Sequence, residues 1–411
     1  MPSRQKFEAL QLLQGGQAFF PALIQAFDAA ARWVQLETYI FDFHGAGAEV
    51  AEALMRAARR GVTVQVLVDG IGTEALSDAW QKKLSDAGVH WCVYSPLAAG
   101  LGGLGLLVPD RWRRLHRKLC VIDQRTVFCG GINVLDDFYD PNHGDLQAPR
   151  FDFALAATGP LAVDAADAMA LLWWRVQAGY SARQRHLSVA WEAFRAAGYG
   201  GRTDAAQLAS QAEAAATGSS RARASLLLRD NLRNRSSIER AYRKAIGQAR
   251  QEVIVANAYF LPGGKLRRAL VRAAKRGVRV TLLLQGRYEY FMQYHAARPV
   301  YGALLAAGVE IYEYEPSFLH AKVAVVDGHW ATVGSSNLDP LSLLLAREAN
   351  VVVQDRDFAE DLRRQLRQAM TSHGRRIDPT AYSRRPLGQR LRGWLAYALV
   401  RLALLVIGQR Y

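Results

Sequence analysis

One spacing occurs twice in this chain and limits what it can fold into more than any other feature. His116-Arg117-Lys118-Leu119-Cys120-Val121-Ile122-Asp123 is followed, six residues on, by Gly130-Gly131-Ile132-Asn133. His320-Ala321-Lys322-Val323-Ala324-Val325-Val326-Asp327 is followed after the same gap by Gly334-Ser335-Ser336-Asn337. Both read H-x-K, four residues, D, six residues, G-x-x-N. The apolar run behind each polar pair has the pattern of a buried strand. Residues two apart on a strand share a face, so each copy sets an imidazole beside an ammonium at the end of a rigid element. A single H-x-K is ordinarily a solvated pair. Two copies matching at every fixed position point instead to shared chemistry, and a cationic pair of this kind is half of a phosphate site.

The duplication extends beyond the motifs. Ala53-Leu54-Met55-Arg56-Ala57-Ala58-Arg59-Arg60-Gly61-Val62-Thr63-Val64 is echoed by Ala269-Leu270-Val271-Arg272-Ala273-Ala274-Lys275-Arg276-Gly277-Val278-Arg279-Val280. Each reads as a helix stopped by glycine and followed by a buried parallel strand. In the first half, Gly15-Gly16 reads as a turn, 22–32 as a helix, 34–41 as a strand, 49–60 as a helix, and 62–68 and 89–94 as strands; 253–260 repeats the first strand. Residues 197–224, rich in Ala, Gly, Ser and Arg, read as a connector, with the boundary near 215. The sequence thus divides into an N-terminal half (1–214), a C-terminal half (215–379) and a basic, apolar tail (380–411). The expected architecture is α/β. Two right-handed halves meeting about a pseudo-twofold axis would bring both motifs into one shared cleft.

Composition narrows the partner. The 52 Lys and Arg against 37 Asp and Glu leave a net charge of +15, which suits nucleic acid or an anionic bilayer. Cys92, Cys120 and Cys129 sit singly in apolar surroundings and read as core residues of a reducing compartment. The histidines show no metal-ligand spacing, so no metal and no cofactor is expected. The first residues lack the apolar core of a signal peptide, and no uninterrupted apolar run approaches the ~20 residues of a span. The expectation is a chain kept on the cytoplasmic side of the cell membrane as a peripheral protein. Residues 97–109 form a Gly- and Leu-rich stretch before Arg111-Trp112-Arg113-Arg114, suited to lipid headgroups and acyl chains. Residues 288–298 are rich in Tyr and Arg. Residues 387–407 read as an amphipathic helix, broken by Arg390, Arg392 and Arg401, lying in the headgroup plane with Trp394 and Tyr397 as anchors.

At the paired motifs the chain resembles the phospholipase D superfamily. The contexts Leu115-His116-Arg117-Lys118 and Val333-Gly334-Ser335-Ser336-Asn337-Leu338-Asp339-Pro340-Leu341-Ser342 are similar to bacterial cardiolipin synthases, most of all the cardiolipin synthase B type. The resemblance runs from about residue 11 to about residue 373 and implies two phospholipase D-like halves. Gly131 stands where many members carry Ser, as at Ser335, so a hydroxyl contact in the first half is not expected.

A phosphodiester repels nucleophiles and has a poor leaving group, and two imidazoles on opposite sides of phosphorus answer both difficulties. The resemblance assigns His116 as nucleophile and His320 as general acid and base, although the residues by themselves leave that choice open. Lys118 and Lys322 would meet the charge on the non-bridging oxygens, with Asn133, Asn337 and Ser335 adding hydrogen bonds. Asp152 and Glu348 correspond to residues that orient the histidines in related enzymes. Asp123 and Asp327, at strand ends facing a turn, are expected to hydrogen-bond the motif's backbone. The implied reaction moves a phosphatidyl group from one phosphatidylglycerol to another and releases glycerol, with anionic phospholipids and the membrane surface as partners. Phosphatidylethanolamine or a small alcohol would use the same machinery. A nuclease is the rival class, since +15 suits DNA; its relatives are commonly short, single-motif chains, and nucleic acid is not the expected partner. A non-catalytic scaffold fits two intact motif sets poorly.

Overall fold

The computed structural model describes residues 5–6, 9–95, 113–183, 223–230, 234, 236–288, 291–339 and 346–406. The stretch 97–109, nearly all of 197–224 including the expected boundary at 215, residues 289–290, and 340–342 of the second motif's context lie outside them. The chain forms two compact units, Met1–Asp136 with Ala154–Leu226, and Asp137–Phe153 with Leu227–Tyr411. Residues 137–153 therefore belong with the second unit, although they lie in the first half of the sequence. The tail belongs there too.

In the first unit, β1 (Ala9–Gln14) and α1 (Gly15–Asp28) lead into β2 (Trp33–Thr38), α2 (Ala46–Arg59), β3 (Thr63–Asp69), α3 (Asp78–Asp86) and β4 (Val89–Tyr94). Then come β5 (Leu119–Ile122), β6 (Thr126–Gly130), β7 (Phe153–Thr158) and α4 (Pro160–Arg183). The sheet order is β1-β7-β6-β5-β2-β3-β4. Strands β2, β3 and β4 are parallel and β5 runs against β2, so the sheet is mixed. Phe19, Leu23 and Phe27 of α1 and Val50 and Leu54 of α2 pack on Val34, Leu36, Val64 and Val66. Leu172 and Trp173 of α4 pack with Leu67, Cys92 and Leu115.

In the second unit, β8 (Arg223–Arg229), at whose C-terminal part the unit begins, is followed by α5 (Ser237–Gln248), β9 (Glu252–Asn257), α6 (Gly264–Lys275), β10 (Arg279–Gln285) and α7 (Phe291–Leu305). Next are β11 (Glu310–Tyr314), β12 (Lys322–Val326), β13 (Trp330–Gly334), β14 (Ala346–Gln354) and α8 (Arg356–His373). The unit closes with β15 (Gly374–Arg376), α9 (Pro379–Ser383) and α10 (Leu387–Val406). Its strands run β8-β14-β13-β12-β9-β10-β11-β15. The run β14-β13-β12-β9-β10-β11 thus repeats β7-β6-β5-β2-β3-β4, and the duplication read in the sequence is a duplication of sheet topology.

Several expected boundaries move for local reasons. The helix expected at 22–32 occupies Gly15–Asp28, because the backbone at Ala31, Arg32 and Trp33 is bound to a side chain and leaves the helix. The strand expected at 34–41 stops at Thr38. Beyond it, Ile40 N–H donates to Asn133 Oδ1 at 3.2 Å and Phe41 N–H to Thr73 Oγ at 3.1 Å, so side chains replace the ladder. His116 and Lys118 lie just ahead of β5, and His320 just ahead of β12, which Lys322 begins.

The motif aspartates hold each hairpin to its core. Asp123 and Gln124 take φ of 50° and 54°, and Asp327 and Gly328 take 50° and 62°. Two successive positive φ values make the tight turn that matches the twist of paired strands, and Asp tolerates them. Asp123 accepts from the N–H groups of Ala31, Arg32 and Trp33 at 2.8 Å each. Asp327 accepts from Arg250, Gln251 and Glu252 at 2.9, 2.8 and 2.9 Å. The backbone they bind leads into β2 and β9, not the motif's own strand. Burial alone would raise the Asp327 carboxyl, but those three N–H groups and His329 outweigh it and hold it below the usual carboxylate value.

Asp327→Ala is expected to lower unfolding free energy near neutral pH by about 2 kcal/mol in urea melts. A depressed native pKa gives stability that is complete above the ordinary carboxylate value and is lost as pH falls through the lowered one. The gap between wild type and variant should therefore close in acid.

Candidate active site

In the first unit, Asp69 at the end of β3 sets the approach to His116. Its buried carboxylate accepts from the N–H groups of Leu115 at 2.7 Å, Ile71 at 2.8 Å and Gly72 at 3.2 Å, and pairs with Arg114 at 3.3 Å. His116 follows directly and is half-buried. Its ring centroid lies 4.9 Å from that of Tyr39. Lys118 donates through Nζ to the His116 carbonyl at 3.0 Å and lies 5.3 Å from the centre of the Tyr39 ring. The aromatic face thus takes up part of the ammonium's charge inside the fold. Arg117 and Glu37, both nearly buried, form an ion pair at 3.6 Å. Asn133 is buried, and its Oδ1 fixes the backbone just after β2.

In the second unit, Lys322 is fully buried and donates to the His320 carbonyl. The His320 ring is held by Nδ1 against Asp152 Oδ2 at 2.6 Å, across 168 residues of sequence. Asp152 is 2% exposed, and its other oxygen accepts the Phe153 N–H at 2.8 Å. Backbone pairing positions it: Phe151 N–H donates to Phe318 O at 3.0 Å, and His320 N–H to Phe151 O at 2.9 Å. The segment 137–153 is braced by Asp140, which takes Arg150 at 2.8 Å and His143 at 2.9 Å. Burial would raise the Asp140 carboxyl, but bonds from His143, Arg150 and the Asn142 N–H leave it below the usual range.

Around the second G-x-x-N, the Ser335 hydroxyl donates to Glu348 Oε2 at 2.5 Å and accepts the Ala349 N–H at 3.0 Å. Ser335 is fully buried, and its hydroxyl lies against the Glu348 carboxylate. Asn337 is buried, and Asn257 Oδ1 accepts the neighbouring Leu338 N–H at 3.0 Å. Gly334 has no room for a side chain, since an added Cβ would meet Asn350 Cγ at 2.3 Å and Ala349 O at 2.5 Å.

The sequence reading named Asp152 without saying which histidine it serves, and it missed Tyr39, Asp69, Asn257 and Gln285. Gln285 Oε1 accepts the Leu319 N–H at 3.3 Å, beside His320. The available signal was polar residues closing otherwise apolar strands, as Asp69 closes β3 and Gln285 closes β10.

Residues 23–144 and 242–370 match a protein family described as "Cardiolipin synthase, PLD-like domain". Over 396 residues the chain is 37% identical to cardiolipin synthase B of Salmonella typhi, spanning 95% of this chain and 87% of that relative. Cardiolipin synthase B of Escherichia coli (strain K12) gives the same 37% identity and the same coverage, 95% and 87%. A solved phosphatidylserine synthase of Haemophilus influenzae Rd KW20 has a TM-score of 0.67 at 13% identity, over 98% of this chain and 95% of that one. At that identity the likeness is one of fold.

Gly334→Ala is expected to cost about 1–3 kcal/mol of stability, because the new methyl must displace Ala349 and Asn350 backbone in a filled interior. Guanidinium unfolding of the variant measures it.

Proposed function

The chain belongs to the family of phospholipase D-like cardiolipin synthases, and from that premise we propose that it joins two phosphatidylglycerols into cardiolipin and releases glycerol. The observation that carries the reading is the bond between His320 Nδ1 and the buried Asp152 carboxylate. It commits one ring nitrogen and leaves proton transfer to Nε2. That is how a general acid and base is oriented. It supports a reaction in which a second imidazole, His116, forms the covalent bond.

In the first step His116 attacks phosphorus of the donor while its bond to the glycerol oxygen breaks, and His320 gives its proton to that oxygen. In the second step neutral His320 takes the proton of the acceptor's free hydroxyl, whose oxygen displaces His116. One phosphodiester replaces another, so the exchange needs no outside energy source. Lys118 and Lys322 would meet the negative charge that grows on the non-bridging oxygens, with hydrogen bonds from Asn133 and Asn337. Ser335 would act through Glu348, whose carboxylate it holds, and Glu348 would act as an orienting residue. Asp123 and Asp327 would serve the site by fixing the hairpins behind it. Water would divert the intermediate to phosphatidic acid, so the approach must be apolar.

The membrane surface is the proposed workplace. Among the described residues no helix is long and apolar enough to cross a membrane. Helix α10 instead exposes Leu387, Leu391, Trp394, Leu395, Leu399 and Leu402 along its length, while Gly393 and Ala396 are buried. Together with a net charge of +15, this apolar face suits the headgroup region of an anionic bilayer, on its cytoplasmic side.

Incubation with vesicles of labelled phosphatidylglycerol should yield cardiolipin and glycerol from the wild type and neither from His116→Ala. Nicked plasmid with untouched lipid would instead establish a nuclease, and turnover only with added phosphatidylethanolamine or a small alcohol would move the substrate assignment. His320→Ala is expected to retain a phosphatidyl adduct on His116; mass spectrometry placing the adduct on His320 in the reciprocal variant would reverse the two roles. Asp152→Asn should lower kcat by on the order of 10²–10⁴-fold with KM little changed.

A further inference from the structure

The second unit holds a cavity that contains none of the motif residues. It has a volume of about 210 Å³ and lies among α7, the end of α9 and the first half of α10. Sites for drug-sized ligands run to roughly 300–1,000 Å³, so this one suits a headgroup and not a whole lipid. Its walls include Arg298, Tyr382, Arg385, Gln389, Arg390 and Trp394, and no acidic residue lines it.

The three arginines are not equivalent. Arg298 is met by the buried carboxylate of Glu313 at 2.5 Å. Arg385 and Arg390 have no carboxylate within ion-pair distance among the described residues. The Arg385 guanidinium stacks 3.2 Å from the centre of the Tyr382 ring, and its Nε donates to the Tyr382 carbonyl at 2.8 Å. That fixes the guanidinium plane. Burial pushes its pKa down against the opposing effect of Tyr382, with a smaller push from the like charges of Arg298 and Arg390, which an anion seated here would offset. The positive end of the α10 dipole adds to it, because Gln389 and Arg390 belong to the first turn.

The cavity also continues into the apolar face. Trp394 lines it and is 58% exposed, in the same stripe as Leu387 at 78% and Leu391 at 61%. An indole between a cationic hollow and a leucine row is where a phospholipid's phosphate gives way to its acyl chains. The helix is seated closely enough to keep this geometry: at Gly393 an added Cβ would meet the His295 carbonyl and Pro299 Cδ of α7, each at 3.4 Å.

We propose that this cavity is a second phospholipid site, apart from the paired motifs, that seats the phosphate of one anionic lipid while its chains lie along the leucine face of α10. The site anchors the protein at anionic membrane and takes no part in the chemical step. The proposal rests on the reading of α10 as a membrane-surface helix.

The test is co-sedimentation of the full chain with phosphatidylcholine vesicles, with and without phosphatidylglycerol. Arg385→Gln/Arg390→Gln should weaken binding to the anionic vesicles by roughly ten- to thirtyfold, about what two surface cations contribute. Gln389→Glu should weaken it as well, although an acidic residue in a first helical turn favours the helix; this variant separates loss of binding from loss of folding. Arg268→Gln/Arg272→Gln, which removes the same charge from α6, should cost far less. Equal losses from both arginine pairs would show diffuse attraction and overturn the site. Leu391→Ser/Leu395→Ser should weaken binding to both kinds of vesicle. If that variant fails to bind while the cavity variants bind as wild type, the membrane helix stands and the headgroup site falls; if all bind as wild type, both fall. Calorimetric titration with glycerol 3-phosphate distinguishes the source of the phosphate. Saturable binding that Gln389→Glu abolishes without any change in vesicle affinity would reassign the cavity to a soluble ester and overturn the proposal.

Discussion

Each half of this protein depends on one carboxylate bound to three backbone N–H groups. Asp123 and Asp327 sit at the tips of hairpins whose turns need positive φ, and from there they reach the chain entering β2 and β9. The bond ties a local element, the hairpin, to the strand that joins it to the parallel part of the sheet. Because β5 and β12 are the strands that follow H-x-K, fixing the hairpin also fixes where each histidine and lysine emerge. The aspartate of the motif is thus a structural member of a chemical signature. Its identity is demanded by the turn's backbone and by the number of donors it must satisfy.

The interior behind the motifs holds several buried polar and charged groups. Glu37 with Arg117, Asp69 with Arg114, and Ser335 with Glu348 are buried pairs that fix neighbouring backbone or one another. Isolated buried charges are costly, so each is paired or hydrogen-bonded. A reaction that gathers negative charge on a phosphorus centre requires groups that do not reorient as the charge develops, and such pairing supplies rigidity.

Helix α10 is carried by a separate polar cluster. Glu313, fully buried on β11, takes Arg298 of α7 and Arg375 of β15, each at 2.5 Å. Burial raises its carboxyl despite these partners. Arg298 also offers its carbonyl to the Tyr382 hydroxyl. Strands β11 and β15, helix α7 and helix α9 at the start of the tail are thereby joined, and the tail's apolar face can be presented outward without the helix needing to bury it.

The sequence by itself settled the duplication, the strand-and-turn setting of both motifs, the α/β character of each half and the family. These follow from spacing, from the apolar period of strands and helices, and from glycines that stop helices, all of which are local. It misjudged the end of β2, because Asn133 and Thr73 replace the ladder there from positions 93 and 32 residues away. It carried no sign that the Ser335 hydroxyl bonds a carboxylate 13 residues on. Only the tertiary structure decided that Asp152, which follows the first motif, holds the histidine of the second. The segment carrying it pairs through Phe151 with Phe318 and His320, and no periodicity within one segment encodes its contact with another so distant.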